Sequence, residues 1–329
     1  MGRALQEAGR VRAVTSPNPW VGCVIEPGDF RGATEAPGGR HAEIVALAAA
    51  GSFARGATAY VTLEPCCHFG RTPPCVDALV DAGIRRVVIG ITDPDPLVTG
   101  RGLDALRSAG VQVELGVRSA EVSTQLAPYI KHRTTGRPWV ILKLAATLDG
   151  ATAAADGSSR WITGPQARAD AHRMRAESDA VIVGANTIRM DDPDLDVRDS
   201  ASPGRQPLRV VLGTAPADAR AQPVREFIGD PGRLLDELAA EGLVQVMVEG
   251  GAAVAGAWHR ADLVDRYVFY LAPALAGGES GRPMLAGAGP ASIDELWRGR
   301  IVSVQALGDD IRVELAPLAS GVADSCLPA

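Results

Sequence analysis

The sequence predicts an α/β protein of two domains, each with a largely parallel sheet. The chain has 329 residues, more than one ordinary small core requires and a comfortable length for two domains. Short apolar strands alternate with helical segments in both halves, as in α/β layer folds. A polar stretch with Gly and Pro at 132–138 separates the two series. We therefore expect domains over 1–133 and 139–329, joined by a linker over 134–138.

The first half opens with a helix over 1–12, which ends before two prolines at 16–19 because proline cannot continue a helix. A turn-rich run covers 26–40. Alternating elements are predicted at these positions: strands at 21–25, 57–63, 86–91 and 111–115, and helices at 41–50, 75–82 and 103–109.

The second half restarts the alternation at position 139. Its last two strands meet at Gly308-Asp309-Asp310, a sequence typical of a hairpin turn. The predicted strands lie at 139–146, 180–184, 208–212, 244–249, 267–271, 301–307 and 311–315, with helices at 165–175, 234–240 and 252–259.

Composition excludes several classes of function. The net charge of −6 offers no basic excess to follow a nucleic-acid backbone. No apolar run approaches the roughly 20 residues of a membrane span, and the N-terminus lacks the apolar core of a signal peptide. Three of the five cysteines fall within ten residues, which favours a metal site over disulfides. We expect a cytoplasmic protein that acts on a small molecule.

The residues with the clearest chemistry are His41, Glu43, Cys66 and Cys75. One imidazole and two thiolates leave the fourth position of a tetrahedral Zn²⁺ open, which is the catalytic pattern. Glu43 is then free to take a proton from water and deliver it to a leaving amine. Three ligands and a nearby Glu form the arrangement of zinc-dependent base deaminases.

Two questions stay open at this point. Residues two apart on a regular helix do not share a face, so His41 and Glu43 converge only if the helix begins at His41. Cys67 and His68 are surplus to a three-ligand site, and a fourth ligand from this pair would make the zinc structural. Cys23 lies in an apolar strand and is expected to be a core residue.

In the second half, a predicted strand ending in Glu249-Gly250-Gly251 leads into a helix. Unhindered backbone amides there could bind a phosphate, although a plain strand-to-helix turn gives the same pattern. No G-x-G-x-x-G motif follows a strand, so a standard Rossmann site is not indicated.

The long cysteine loop at 65–75, Pro-Cys-Cys-His-Phe-Gly-Arg-Thr-Pro-Pro-Cys, closely resembles that of the bifunctional riboflavin-biosynthesis deaminase/reductase family. The stretches at 15–22 and 93–102 resemble the same family's deaminase half. Those at 143–150, 161–164 and 248–251 resemble its reductase half. The resemblance covers roughly residues 3–316. It implies a cytidine-deaminase-like domain followed by a dihydrofolate-reductase-like domain that uses NADPH.

The resemblance also implies roles for individual residues. Zinc would be bound by His41, Cys66 and Cys75, with Glu43 as the proton shuttle. The pyrimidine or its ribose phosphate would lie near Asn18, Arg71 and the loop 93–100. Cofactor-facing positions would be Ala145, Trp161, Thr187, Asp191 and Gly251. Substrate-facing positions in the second half would be Ser159, Arg175, Arg198 and Glu249.

Three departures from the family pattern accompany these assignments. Gly32-Ala33-Thr34-Glu35 replaces a Gly-Trp-His-like stretch, the chain is short between Leu212 and Gln245, and Gly213-Thr214 replaces Asp-Ser.

We expect the chain to catalyse two consecutive steps of riboflavin biosynthesis and to form a homo-oligomer. In the first step, zinc-dependent hydrolysis would deaminate 2,5-diamino-6-ribosylamino-4(3H)-pyrimidinone 5′-phosphate. In the second, NADPH would reduce the ribosyl side chain to ribityl. The alternatives are a deaminase with an impaired reductase domain and a non-catalytic zinc protein.

Overall fold

A computed structural model describes residues 1–68, 73–96, 98–198, 205–278 and 281–318 of the chain. The chain forms two compact units. Unit 1 holds Met1–Pro138 together with Ala239–Val244, and unit 2 holds Trp139–Leu238 and the residues from Gln245 onward.

The first 138 residues alternate helices and short strands. In chain order these are α1 (Gly2–Arg10), α2 (Arg12–Thr15), β1 (Gly22–Glu26), β2 (Phe30–Ala33), α3 (Ala42–Ala50), β3 (Thr58–Leu63), α4 (Cys75–Asp81), β4 (Arg86–Ile91), α5 (Arg101–Ser108), β5 (Gln112–Leu115), α6 (Ser119–Gln125) and α7 (Ala127–Thr135).

These strands form one sheet in the order β2-β1-β3-β4-β5. β1 is antiparallel to both β2 and β3, whereas β3, β4 and β5 are parallel. Most of the β3 and β4 residues are buried, as expected for parallel strands covered on both faces. Because β3 and β4 are parallel neighbours, the loops that follow them leave from the same edge of the sheet.

The remainder of the chain repeats this construction with more strands. Its elements are β6 (Trp139–Thr147), β7 (Ala151–Ala153), α8 (Pro165–Ala176), β8 (Ala180–Gly184), α9 (Ala185–Asp191), β9 (Leu208–Leu212), β10 (Arg225–Phe227), α10 (Pro231–Ala240), β11 (Gln245–Val248), α11 (Ala252–Arg260), β12 (Arg266–Ala272), β13 (Arg282–Pro283), β14 (Gly299–Leu307) and β15 (Asp310–Pro317).

The large sheet has the order β10-β9-β8-β11-β6-β12-β15-β14. Its first six strands are parallel, and the hairpin β14–β15 joins β12 in antiparallel fashion. β8 and β11 are neighbours, so their carboxyl ends meet at one edge. A second, two-stranded sheet pairs β7 with β13.

The α/β prediction is confirmed, but several elements differ from the expected ones. β2 lies inside the run 26–40, and its antiparallel pairing with β1 follows from the short connection between them, which does not allow a parallel crossover. The expectation of a largely parallel first sheet is wrong for β1 and β2. Sequence reasoning also missed α2, α6, α7, β7, α9, β10 and β13. α7 ends at Thr135, so residues 134 and 135 of the expected linker are helical.

Each unit has its own apolar core. Cys23 is fully buried in unit 1 among apolar neighbours, as expected from the sequence. Trp258 and Tyr270 are among the largest fully buried side chains of unit 2. Among the helices of the described residues, none is both long enough and apolar enough to cross a membrane.

Candidate functional site

His41 and Glu43 are brought together by the start of α3. His41 is the residue before the helix, with an extended backbone (φ −75°, ψ 159°), and Glu43 is in the first helical turn. The helix therefore begins where convergence of the two side chains requires it. α3 lies close to β2, because a Cβ placed on Gly32 would come within 2.2 Å of the Ala42 carbonyl oxygen.

The two cysteines come from the loop after β3 and from the start of α4. Cys75 is the first residue of α4, directly after Pro74. The Cys75 amide donates a hydrogen bond to the Cys66 sulfur (3.3 Å), and the Val76 amide donates to the Cys66 carbonyl (3.2 Å). The positive end of the helix dipole at this point favours thiolate over thiol.

The three candidate ligand atoms form a compact cluster. His41 Nδ1 lies 3.2 Å from Cys75 Sγ and 3.5 Å from Cys66 Sγ, and all three atoms lie within 4.8 Å of one another. Tetrahedral zinc with ordinary bond lengths places nitrogen and sulfur ligands about 3.6 Å apart. The three residues therefore fit a zinc ion.

No fourth metal-binding side chain joins this cluster among the residues that the structure describes. Cys67 and His68 both lie outside the cluster. A three-ligand arrangement is typical of catalytic rather than structural zinc. The sequence left this question open, and the geometry favours the catalytic interpretation.

The electrostatics of the cluster suit proton transfer next to a metal. Burial raises the pKa of Glu43 to about 7, and the negative charge of Cys66 acts in the same direction. Hydrogen bonds from Cys75 and His41 lower the pKa of Cys66 to about 4. The pKa of Cys75 is raised by its hydrogen bond to Cys66 and by burial. Without a metal, Cys66 is therefore the thiolate and Cys75 the thiol of the pair, and a bound divalent cation would favour ionisation of both sulfurs.

The other predicted residues of the first half are placed as follows. Asn18 is half-buried in the turn after α2, where its backbone N–H donates to the Thr15 carbonyl oxygen (2.9 Å). Arg71 lies outside the described residues. In the loop after β4, buried Asp93 accepts a hydrogen bond from the Tyr129 hydroxyl (3.1 Å), and burial raises the pKa of Asp93 to about 6.

In unit 2, glycines stand where β8 and β11 end and where α11 begins, and we call this turn the cradle. A Cβ on Gly250 would come within 2.4 Å of Val254, and one on Gly184 within 2.9 Å of the same residue. Gly251 precedes α11, and a Cβ on it would lie 3.9 Å from Thr187 Oγ1. The open backbone at the start of α11 fits a phosphate group of a dinucleotide such as NADPH.

Arg175 and Glu249 are paired with each other. Arg175 Nε and Nη2 donate to the two carboxylate oxygens of Glu249 at 2.8 and 3.0 Å. Lys143 Nζ lies 3.9 Å from Glu249 Oε2. Arg175 also donates to the Asp196 carbonyl (2.7 Å). Arg198 is more exposed and forms ion pairs with Asp194 and Asp196.

A pocket of about 230 Å³ contains two of the predicted residues, Ser159 and Trp161. Ser159 Oγ donates to Asp191 Oδ1 at 3.5 Å, so a third predicted residue contacts the lining of the pocket. The Trp161 ring is 71% exposed, with the Arg168 guanidinium 4.6 Å from its centroid. Ala145 is half-buried in β6.

Sequence reasoning assigned no role to two charged residues at these sites, Glu64 and Lys143. Glu64 is a buried carboxylate that immediately follows β3, and Lys143 adds a second cation to Glu249. The available signal was a charged residue within or directly after a strand predicted to be buried.

The fold and the cluster define a zinc-dependent deaminase joined to a second α/β domain with a nucleotide-type cradle. The cytidine and deoxycytidylate deaminase zinc-binding region matches residues 1–91, and the RibD C-terminal domain matches residues 138–313. The riboflavin biosynthesis protein RibD of Mycobacterium tuberculosis is 40% identical over 96% of both chains. That of Escherichia coli is 40% identical over 85% of this chain and 88% of its own length.

Solved structures agree with these matches. Acinetobacter baumannii RibD has a TM-score of 0.89 at 38% identity, covering 96% of this chain and 97% of its own. The diaminohydroxyphosphoribosylaminopyrimidine deaminase/5-amino-6-(5-phosphoribosylamino)uracil reductase of Thermotoga maritima has a TM-score of 0.85 at 32% identity, covering 97% of both chains. The chain belongs to the RibD family of riboflavin biosynthesis proteins.

The predicted family, fold class and pair of cofactors are thereby confirmed. The chain is a bifunctional enzyme of riboflavin biosynthesis, a zinc-dependent deaminase and an NADPH-dependent reductase. None of these findings favours the alternative of a deaminase with an impaired reductase domain.

Proposed function

We propose that His41, Cys66 and Cys75 bind the zinc ion and that Glu43 moves the protons of the deamination. The observation that carries this proposal is the convergence of three ligand atoms within 4.8 Å beside the buried Glu43 side chain. The substrate is 2,5-diamino-6-ribosylamino-4(3H)-pyrimidinone 5′-phosphate, and the residues 1–133 form the domain that deaminates it.

The chemistry divides between the metal and the protein. When bound, zinc supplies the Lewis acidity that makes water a nucleophile near neutral pH. Glu43 accepts a proton from the attacking water and passes it to the departing amine nitrogen, so that ammonia leaves. Asn18, Arg71 and the loop 93–100 orient the pyrimidine and its ribose phosphate.

For the second step, we propose that the residues 139–329 reduce the ribosyl side chain to ribityl. When bound, NADPH supplies the hydride, so the protein has mainly to position two reactants. The turn Gly250-Gly251 and Thr187 receive the cofactor phosphates at the carboxyl ends of β8 and β11, and Ala145, Trp161 and Asp191 complete the cofactor side. Ser159, Arg175, Arg198 and Glu249 face the substrate, whose phosphate suits an arginine fork.

We further propose that the enzyme acts in the cytoplasm on a free small molecule, without a nucleic-acid or membrane partner. The net charge of −6 disfavours polyanions, and none of the described cysteines forms a disulfide, which suits a reducing compartment. A homo-oligomer would cover exposed apolar side chains on the edge hairpin β14–β15, where Ile301 and Val304 are 61% and 59% exposed. Sedimentation of the wild type against Ile301→Glu tests this assembly.

A paired assay on the purified full-length protein tests the catalytic proposal. The diaminopyrimidine ribosyl phosphate is supplied, and ammonia release and NADPH oxidation are followed with and without a zinc chelator. We expect zinc-dependent ammonia release followed by NADPH oxidation. Absence of ammonia from zinc-loaded protein would leave a structural metal site, and ammonia without NADPH oxidation would leave only the deaminase.

Glu43→Gln isolates the proton shuttle. We expect a fall in deamination of about 10²–10⁴-fold, the usual contribution of general acid–base catalysis, with zinc still bound. Retained zinc would show that the metal site of unit 1 is formed, and NADPH oxidation with the deaminated substrate would show that unit 2 is folded. The matched control is Glu114→Gln, an exposed partner of Arg86 on β5. An active Glu43→Gln enzyme would contradict the assigned role.

A further inference from the structure

Glu64 lies where the loop that carries Cys66 meets the loop after β4, and we call this contact, formed by Glu64 and Pro65 with residues 93 and 100–103, the joint. It is the first residue after β3, its side chain is buried, and Cys66 follows two positions later. Its carboxylate accepts four backbone hydrogen bonds. The donors are the amides of Asp93 (3.2 Å), Gly100 (3.0 Å), Gly102 (2.9 Å) and Leu103 (3.3 Å).

We call the described residues 93–96 and 98–103 the anchored loop. A buried carboxylate is costly unless its oxygens are hydrogen-bonded, and four amide donors are about as many as two carboxylate oxygens can accept. Three of the four donors lie at the start of α5, where the helix dipole also favours a negative charge. The Glu64 charge is therefore held in place by the anchored loop, and the loop is held by Glu64.

A second contact fixes the same joint. A Cβ on Gly102 would lie 2.2 Å from the Pro65 carbonyl oxygen, which leaves no room for any side chain at this position. The start of α5 is thus pressed against the residue that directly precedes Cys66.

The anchored loop is also tied internally. The Thr99 hydroxyl lies within hydrogen-bond distance of two carbonyl oxygens, those of Asp93 (2.7 Å) and Asp95 (2.8 Å), and can donate to either one. The backbone amide of Asp95 donates to Asp93 Oδ1 (2.9 Å). Tyr129 on α7 donates to the same Asp93 carboxylate. These bonds tie Thr99 to Asp93 and Asp95, and Glu64 bonds both Asp93 and Leu103, so a displacement at Glu64 would act on both ends of the loop.

We propose that Glu64 is a positioning residue for the deamination. It sets the distance between the anchored loop and the zinc ligands, so that a substrate held by the loop is presented to Glu43. This inference rests on the proposed function, which places the loop beside the pyrimidine ribosyl phosphate. Glu64 itself belongs to neither the metal cluster nor the proton-transfer step, so its effect is on substrate binding.

Glu64→Gln tests the proposal at constant side-chain size. The amide NH₂ of glutamine would face backbone N–H donors in place of an acceptor, which breaks part of the joint. Loss of charge-assisted hydrogen bonds predicts a KM for the diaminopyrimidine about tenfold to a hundredfold higher, with kcat changed by less than about threefold. Zinc content should equal that of the wild type, and NADPH oxidation with deaminated substrate should be unchanged. Glu114→Gln is the matched exposed control.

Gly102→Ala perturbs the joint without altering any charge, because the new Cβ would meet the Pro65 carbonyl oxygen. This variant tests the positioning role if Glu64→Gln does not fold. We expect the same rise in KM with zinc retained. Loss of zinc in these variants, or a fall in kcat at unchanged KM, would overturn the inference and make Glu64 a support of the metal site. Unchanged kinetics in both variants would overturn it as well. If the wild type releases no ammonia, the proposed function fails first, whereas an active wild type with unaffected variants refutes the inference alone.

Discussion

Replacement of Glu249 by glutamine is the sharpest test of how unit 2 holds its buried charges. The Glu249 carboxylate lies between Arg175 and Lys143, with both oxygens accepting from the Arg175 guanidinium. Burial opposes ionisation of Glu249, but the two cations outweigh it and hold the pKa of Glu249 below its usual value. At Lys143 the two effects oppose each other: burial lowers the pKa of the ammonium, and the negative charge of Glu249 raises it. Burial is the larger effect, so the pKa of Lys143 is lowered. Glu249→Gln therefore removes the carboxylate that faces both cations, while Asp194 and Asp196 still act on Arg175.

The expected loss follows from the exposure of the pair. The side chains of Arg175 and Glu249 are only 11% and 10% exposed, so water screens them little. Removing one partner of a buried ion pair costs about 3–5 kcal/mol. In a unit of this size, 1 kcal/mol corresponds to roughly 2–4 °C, so the melting temperature of unit 2 should fall by roughly 6–20 °C.

Tryptophan fluorescence during urea and thermal unfolding measures this loss. Four of the five tryptophans, at positions 139, 161, 258 and 297, belong to unit 2, so the signal reports mainly on that unit. The control is Glu237→Gln, which changes the same residue type in a half-buried ion pair with Arg225. That pair is more exposed than the pair of Arg175 and Glu249, and the change should cost about 1 kcal/mol.

The pH dependence provides an independent check. Because the pKa of Glu249 is lowered in the folded state, its stabilisation is present above the unfolded value near 4.5 and is lost as the pH falls through the folded value. The gap between wild type and Glu249→Gln should therefore be full at pH 7 and shrink below about pH 4.5. A loss no larger than that of Glu237→Gln, or a gap that does not change with pH, would refute the reasoning.

Three further predictions concern unit 1 and the metal. Gly32→Ala should destabilise unit 1 by about 1–3 kcal/mol and weaken zinc retention after dialysis, because the new Cβ would meet the backbone of α3, whereas Gly289→Ala meets no atom within 4 Å and should be silent. Burial raises the pKa of Asp93 to about 6, so its contribution to the stability of unit 1 should rise as the pH falls from 7 toward 4, and urea titrations of Asp93→Asn should show a smaller gain over this range than those of the wild type. Removal of zinc by a chelator should abolish ammonia release and leave NADPH oxidation of the deaminated substrate intact; parallel loss of both activities would contradict two independent sites.

The fold was predictable where local pattern and tertiary context agree. Apolar runs such as 86–91 and 180–184 became buried parallel strands at the expected positions. β2 was not predictable from its own four residues, because it is defined by pairing with β1 and by the contact of Gly32 with α3. Whether His41 and Glu43 converge depends on where α3 begins. The helix begins directly after His41 because that residue has an extended backbone.

The zinc ligands were accessible to sequence reasoning because cysteine and histidine are rare and their chemistry is specific. The role of Glu64 could not be predicted from the sequence. Its four hydrogen-bond partners lie 29 to 39 residues further along the chain, and they are backbone amides, which every residue type except proline provides. The pairing of Arg175 with Glu249 was hidden for a related reason. The family resemblance placed each of the two residues separately toward the substrate, and their contact follows from the fold, which brings the end of β11 beside α8.

The short segment after β9 was the strongest sequence argument for an impaired reductase, and the structure weakens it. β9 keeps its place between β8 and β10, and all three strands run parallel. Gly213, which replaces the family's usual residue after β9, has φ +108°, and a Cβ on it would approach the Ala185 side chain at 3.0 Å. A glycine at this position therefore lets the chain pass close to the start of α9, beside the cradle at β8 and β11. The short segment therefore leaves β8, β9 and β10 in continuous parallel register.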